Sequence, residues 1–96
     1  MKFLIYNALF HPGFKKDIKR MSSKIKEELK DLIQKIKEEP TDAEQLSGNL
    51  TGIYRRKIVV ENVDYRLSYT IEKDSIVFLM FKTRENYYKY LERRVQ

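Results

Sequence analysis

Apolar residues recur at Ile25, Leu29, Leu32, Ile33 and Ile36, while Lys and Glu fill most of the positions between them. This spacing of i, i+4, i+7, i+8 and i+11 traces one face of a helical period and predicts an amphipathic helix over "KIKEELKDLIQKIKEE". Ser22 and Ser23 are candidate N-caps, because a hydroxyl there can accept from an orphan backbone N–H. Pro40 closes the helix, since its ring cannot continue it. Upstream, "HPGFKKDIKRM" predicts a shorter helix with Pro12 near its first turn and Phe10, Phe14, Ile18 and Met21 on one face. His11, just before that proline, reads as a cap or packing residue at the helix start. Residues 2–6 read as an opening strand.

Beyond "TDAEQLSGNLTG", a turn-rich connector with Gly48 and Gly52 as breakers, the period changes from that of a helix to that of a strand. Three strands are predicted, over residues 53–60, 64–72 and 75–82, joined through "ENVD" and "EKD". In the second, Tyr65, Leu67, Tyr69 and Ile71 point one way and Arg66, Ser68 and Thr70 the other. The third, "SIVFLMF", is apolar at every position after Ser75, as expected of a central strand covered on both faces. The tail "ENYYKYLERRVQ" reads as a short terminal helix. A helical pair placed between a first strand and a run of hairpins must bury its stripe on one face of their sheet, which gives an α+β fold of order β-α-α-β-β-β-α. The other face is expected to stay open. By alternation Arg55, Lys57 and Arg66 converge on it, whereas Arg56 points away and reads as charge guarding a strand from aggregation.

With 96 residues the chain fits one domain, residues 1–96. It has no Cys, so a disulfide framework and a thiolate metal site are excluded and a reducing cytoplasm suits it. Its apolar runs fall short of a membrane span, and the opening residues do not have the form of a signal peptide. The formal charge is +6 and unevenly placed. Residues 1–50 carry 10 Lys/Arg against 8 Asp/Glu, residues 51–96 carry 10 against 6, and six of the seven Arg lie in the second half. Arg presents a planar fork of donors that matches phosphate, so a phosphate-rich partner fits the second half.

RNA binding needs cations on rigid elements with aromatic rings nearby. Arg55, Lys57, Arg66, Lys82 and Arg84 supply the charge, and Tyr87, Tyr88 and Tyr90 the rings; packing of the last helix onto the sheet is an equal claim on Tyr87 and Tyr88. Cleavage of RNA by its own 2′-hydroxyl further needs a proton acceptor, a proton donor and cations to stabilise the phosphorane. A Lys crowded by other cations can serve as a base, and an Arg can stabilise the developing charge. No carboxylate cluster accompanies this face, which argues against metal-ion catalysis. The Lys/Glu face of residues 24–39 reads as solvated surface.

The segments "LSGNLTGIYRRKI", "DYRLSYTI" and "TRENYYKY", with Arg84 followed six positions later by Tyr90, resemble the RelE toxins of the RelE/ParE toxin-antitoxin superfamily. The match runs over essentially the whole chain. The resemblance implies a small, mostly antiparallel sheet with a helical hairpin on one face and a short C-terminal helix. It also implies a cytoplasmic, metal-independent and cofactor-free endoribonuclease that cuts messenger RNA in the ribosomal A site. Carried over by position, Lys57 is the general base, Arg66 stabilises the transition state, Arg84 serves the leaving oxygen and Tyr90 orients or stacks on the nucleotide. Arg55 falls at a phosphate-binding position. From the charge and ring pattern, Lys82, Tyr87, Arg93 and Arg94 are candidate further RNA contacts, with a solvent-facing helix end the alternative for Arg93 and Arg94. Arg rather than Lys at position 55 and a longer "VVENVD" hairpin depart from the pattern. The implied partners are a cognate antitoxin, the ribosome and its messenger, with no membrane. Two alternatives carry different consequences: a ParE-like inhibitor of DNA gyrase, and a non-catalytic member that only binds its antitoxin or nucleic acid.

Overall fold

A computed structural model of the chain describes residues 6–96. The strand expected over residues 2–6 lies outside these apart from Tyr6, and the first strand observed, β1, is Asn7–Phe10. It leads into α1, Pro12–Ile18, where the His11 Nδ1 accepts from the Gly13 N–H at 2.9 Å and caps the helix. Phe10 ends β1 instead of joining the helix, yet its ring still stacks on Phe14, with centroids 5.4 Å apart. Helix α2, Ser23–Glu38, is capped by Ser22, whose Oγ accepts from the Ile25 N–H at 3.3 Å. Its stripe behaves as the periodicity requires: Leu29, Leu32 and Ile36 are buried, with Ile25 and Ile33 packed against them.

The connector holds more structure than its turn-rich composition suggested. A two-residue strand, β2 (Glu44–Gln45), and a 3-10 turn at Gly48–Leu50 precede β3 (Ile53–Val60), β4 (Val63–Glu72) and β5 (Ser75–Thr83). Helix α3, Tyr87–Val95, ends the chain. Among the described residues no helix is long and apolar enough to cross a membrane. The β3–β4 turn consists of Glu61 and Asn62, both with positive φ (51° and 67°), the conformation that matches the twist of a tight hairpin.

The sheet order is β1-β5-β4-β3-β2, with β1 parallel to β5 and the other pairs antiparallel. Against one face pack α1 and α2, burying Phe14, Leu29, Leu32 and Ile36 on Tyr65, Leu67, Tyr69, Ile76, Phe78 and Phe81. The opposite face, expected from the sequence to stay open, is covered in part. Over part of it α3 and the 3-10 turn build a second core of Leu50, Ile53, Leu79, Met80, Tyr87 and Leu91. A terminal helix with two apolar residues one turn apart, Tyr87 and Leu91, needs such a surface, and this face of the sheet supplies one.

A β-bulge in β5 adjusts the alternation. Ser68 pairs with Met80 but Tyr69 with Phe78, so Leu79 is the extra residue. Leu79 and Met80 therefore both join the α3 core, and Phe81 returns to the α1–α2 core. Lys82 consequently falls on the α3 side, opposite Arg66.

Candidate nucleic-acid interface

Past the edge of α3, the sheet presents cations in register. Lys57 on β3 pairs with Arg66 on β4, which pairs with Lys82 on β5. Adjacent strands lie about 4.8 Å apart, so the row spans about 10 Å. Like charges placed directly opposite each other destabilise a sheet. The next row begins with Arg55, opposite Ser68. The longer hairpin thus leaves Lys57 and Arg66 face to face. Arg56, on the other side of its strand, donates to the Asp42 carbonyl at 2.9 Å.

The cations differ in how they are held. Arg55 donates to the Glu44 carboxylate at 2.6 Å and to the Tyr88 hydroxyl. Arg66 donates to the same hydroxyl at 3.3 Å and lies 3.5 Å from Asp64 Oδ1. Lys82 Nζ is 3.4 Å from Asp17 Oδ1 and 5.6 Å from the centre of the Tyr90 ring, within range of a cation–π contact. Lys57 is exposed and has no ion-pair partner among the described residues; the same holds for Arg84. Arg84 follows the end of β5, where its backbone N–H donates to the Asp64 carbonyl at 3.1 Å. Its side chain lines an open cleft with Asn62, Asp64, Thr83, Glu85 and Asn86.

The structure therefore gathers Arg55, Lys57, Arg66 and Lys82 on one face, with Tyr90 above Lys82 and Arg84 at the rim. Tyr87 does not belong with them. Its ring is 1 % exposed, and its hydroxyl is tied to Ser68 Oγ and to the Met80 carbonyl. Burial pushes its pKa well above the ordinary tyrosine value. A group so enclosed packs the helix and is unavailable to a nucleotide. Arg94 is likewise engaged elsewhere: it donates to both oxygens of Asp17, at 2.6 and 3.1 Å, and to the Leu79 carbonyl at 3.0 Å. Arg93 is exposed on the solvent side of α3, two residues from the buried Leu91.

Two anchoring residues, Glu44 and Asp64, escaped the sequence reading, and Tyr88, read there as a stacking ring or a packing residue, anchors through its hydroxyl instead. Glu44 sits on a strand too short to show a pattern, and Asp64 belongs to a hairpin read as a turn. Tyr88 is adjacent to Tyr87 and differs from it only by the rotation of α3 about its axis. The available signal for Tyr88 was its helical phase relative to Leu91, which puts it beside the buried stripe instead of within it.

Over residues 9–92 the chain matches a family described as the ParE-like toxin of type II bacterial toxin-antitoxin system. The chain belongs to this family. Its fold is shared with RelE toxins. A double arginine-to-alanine mutant of Escherichia coli toxin RelE in the free state gives a TM-score of 0.75 at 23% identity, covering 95% of this chain and 95% of that one. A chain of the RelBE2 toxin-antitoxin complex from Mycobacterium tuberculosis gives 0.74 at 21% identity, covering 86% of this chain and 95% of its own. One from the RelB-RelE antitoxin-toxin complex of Methanococcus jannaschii gives 0.62 at 25% identity, with 85% and 96% covered. No curated protein matches the chain by sequence. The RelE/ParE toxin expected from the motifs is thus what the family match and the fold both give.

Proposed function

We propose that this toxin is a metal-independent, ribosome-dependent endoribonuclease that cuts messenger RNA through attack of a 2′-hydroxyl on the adjacent phosphate. The observation that carries the reading is the row Lys57–Arg66–Lys82, which opposes like charges across three strands with Asp64 and Asp17 offsetting two of them and none offsetting Lys57 among the described residues. A polyanion offsets that repulsion, and a phosphorane, with more negative charge than its phosphodiester, offsets it further.

In this reading Lys57, which has no carboxylate partner among the described residues, takes the proton of the 2′-hydroxyl. The 2′-oxygen bonds to phosphorus, the bond from phosphorus to the 5′-oxygen breaks, and the departing oxygen takes a proton from water, leaving a cyclic phosphate and a 5′-hydroxyl. Arg66 stabilises the charge on the phosphorane, Arg55 and Lys82 bind phosphate, and Arg84 at the rim serves the leaving oxygen. Tyr90, 42% exposed, offers its ring to a base. Arg93 adds an RNA contact from the solvent side of α3. Residues 1–96 act as one toxin domain, in the cytoplasm where ribosomes are.

The partners in this reading are the ribosome, its messenger and a cognate antitoxin. The relatives crystallised as RelB-RelE and RelBE complexes support the antitoxin. A second reading, inhibition of DNA gyrase without chemistry, is favoured by the ParE-like description of the family. The deciding experiment incubates the protein with messenger-loaded ribosomes and with free messenger, and maps new RNA ends. Cuts in the A-site codon that disappear in Lys57→Ala are expected. No cuts, together with loss of supercoiling by gyrase, would replace the nuclease with the gyrase inhibitor.

A further inference from the structure

Tyr88 receives two arginines. Arg55 Nη1 and Arg66 Nη1 both donate to its hydroxyl oxygen, from β3 and β4 respectively. A guanidinium has five donors and no acceptor, so neither arginine can take the hydroxyl's own hydrogen. Among the described residues no other group accepts it. The side chain is 38% exposed on the cation face, so the hydrogen is available to a ligand there.

We infer that Tyr88 is a substrate-binding residue, the centre of a clamp for one phosphodiester of single-stranded RNA. Its oxygen holds the two guanidinia side by side while its hydrogen donates to a non-bridging phosphate oxygen. This rests on the reading of the face as an RNA site. It gives the Tyr88 hydroxyl a role where the sequence offered only its ring. The clamp is partly occupied at rest: the Glu44 carboxylate takes Arg55 Nη2 at 2.6 Å. That carboxylate is 56% exposed and belongs to a two-residue edge strand. A phosphate can displace it from the fork, since Arg pairs with either anion through the same geometry. Asp64, 29% exposed, sits deeper beside Arg66 and stays in place as its anchor.

The test is equilibrium binding of a short 2′-O-methyl oligoribonucleotide, which cannot be cleaved, to the whole protein and to Tyr88→Phe at low salt. Arginine and tyrosine side-chain resonances report the site. Phenylalanine keeps the ring and removes only the hydroxyl. Loss of a hydrogen bond to a charged group predicts affinity lowered by about tenfold, with the backbone spectrum of α3 unchanged. Affinity within about twofold of the wild type would overturn the clamp, because a stacking ring or a packing role survives this substitution. No change in the Arg55 and Arg66 signals when the wild type is titrated would overturn it as well. If Tyr88→Phe loses binding while the wild type makes no cut on ribosomes, the clamp stands and the nuclease reading falls.

Discussion

Asp17 on α1 and Arg94 on α3 meet in a two-point ion pair beside β5, with the guanidinium nitrogens 2.6 and 3.1 Å from the two carboxylate oxygens. The same carboxylate accepts from the Phe81 N–H at 2.9 Å, and its side chain is only 3% exposed. One acid thus ties both helices to the strand between them. Asp17→Ala strands the Arg94 guanidinium and should cost about 3–5 kcal/mol of stability, whereas Arg94→Ala leaves Asp17 with Lys82 and the Phe81 N–H and should cost less. Arg94→Lys should recover only part of this, because an ammonium cannot span both oxygens. Urea unfolding midpoints with unchanged m-values check the expectation, and a loss below about 1 kcal/mol in Asp17→Ala would contradict it.

Lys57 and Arg84 carry no ion pair among the described residues and are exposed. Their alanine variants should therefore stay within about 0.5 kcal/mol of the wild type in stability while losing RNA cleavage. Arg66→Ala should behave differently. Its side chain is 13% exposed and faces Asp64, so its loss should cost about 1–3 kcal/mol as well as activity. Thermal unfolding beside ribosome cleavage assays separates the two kinds of site residue.

Glu44→Gln should strengthen RNA binding. The Glu44–Arg55 pair is partly exposed and contributes about 1 kcal/mol or less to stability. Its removal frees Arg55 and deletes a negative charge from a surface that binds a polyanion. Oligoribonucleotide affinity at low salt should rise by roughly two- to fivefold and the gain should shrink as salt is added. A salt-independent gain, or a weaker complex, would mean that Glu44 orders the site instead of shielding it.

Alkaline pH should unfold the protein through its buried tyrosines. Burial pushes Tyr69 up to about 12, and it pushes Tyr87 further in the same direction. Below pH about 10 these phenols are neutral in both folded and unfolded chains, and their contribution to stability is complete. Between about 10 and 12 the unfolded chain releases protons that the fold retains, so stability falls as pH rises. Tyr69→Phe should flatten this fall, although it forfeits the hydrogen bond to the Pro40 carbonyl at 2.8 Å and starts from lower stability. Denaturant unfolding across this pH range, compared between the two proteins, checks the slope.

The parts of the fold legible in the sequence are those where a single element states its own period. The α2 stripe and the alternation through Tyr65, Leu67 and Tyr69 each need only their local spacing to identify a buried face. The cation face followed from alternation alone, since Arg55, Lys57 and Arg66 lie on strands whose limits were set by turn residues. What stayed hidden depends on groups far apart in the chain. β2 has two polar residues and is held by its pairing with β3. The Asp17–Arg94 pair joins residues 77 apart. The distinction among Tyr87, Tyr88 and Tyr90 depends on how α3 turns as it settles, which three tyrosines within four positions leave undetermined.

The extra residue at Leu79 acts on the sheet as a frameshift acts on a message. In an all-apolar stretch, every residue is acceptable on either face, so the shift leaves no trace until the first charged position downstream. Were the bulge lost and Leu79 taken into the ladder, Phe81 would be read out onto the cation face and Lys82 delivered into the core beneath the helices, a misplaced ammonium beside Phe14 and Tyr65. Whatever chemistry the face performs is therefore addressed by a single count along β5. Deleting Leu79 itself should straighten the strand and leave Phe81 and Lys82 on their present faces, while most substitutions of Leu79 by another apolar residue should leave site and core intact.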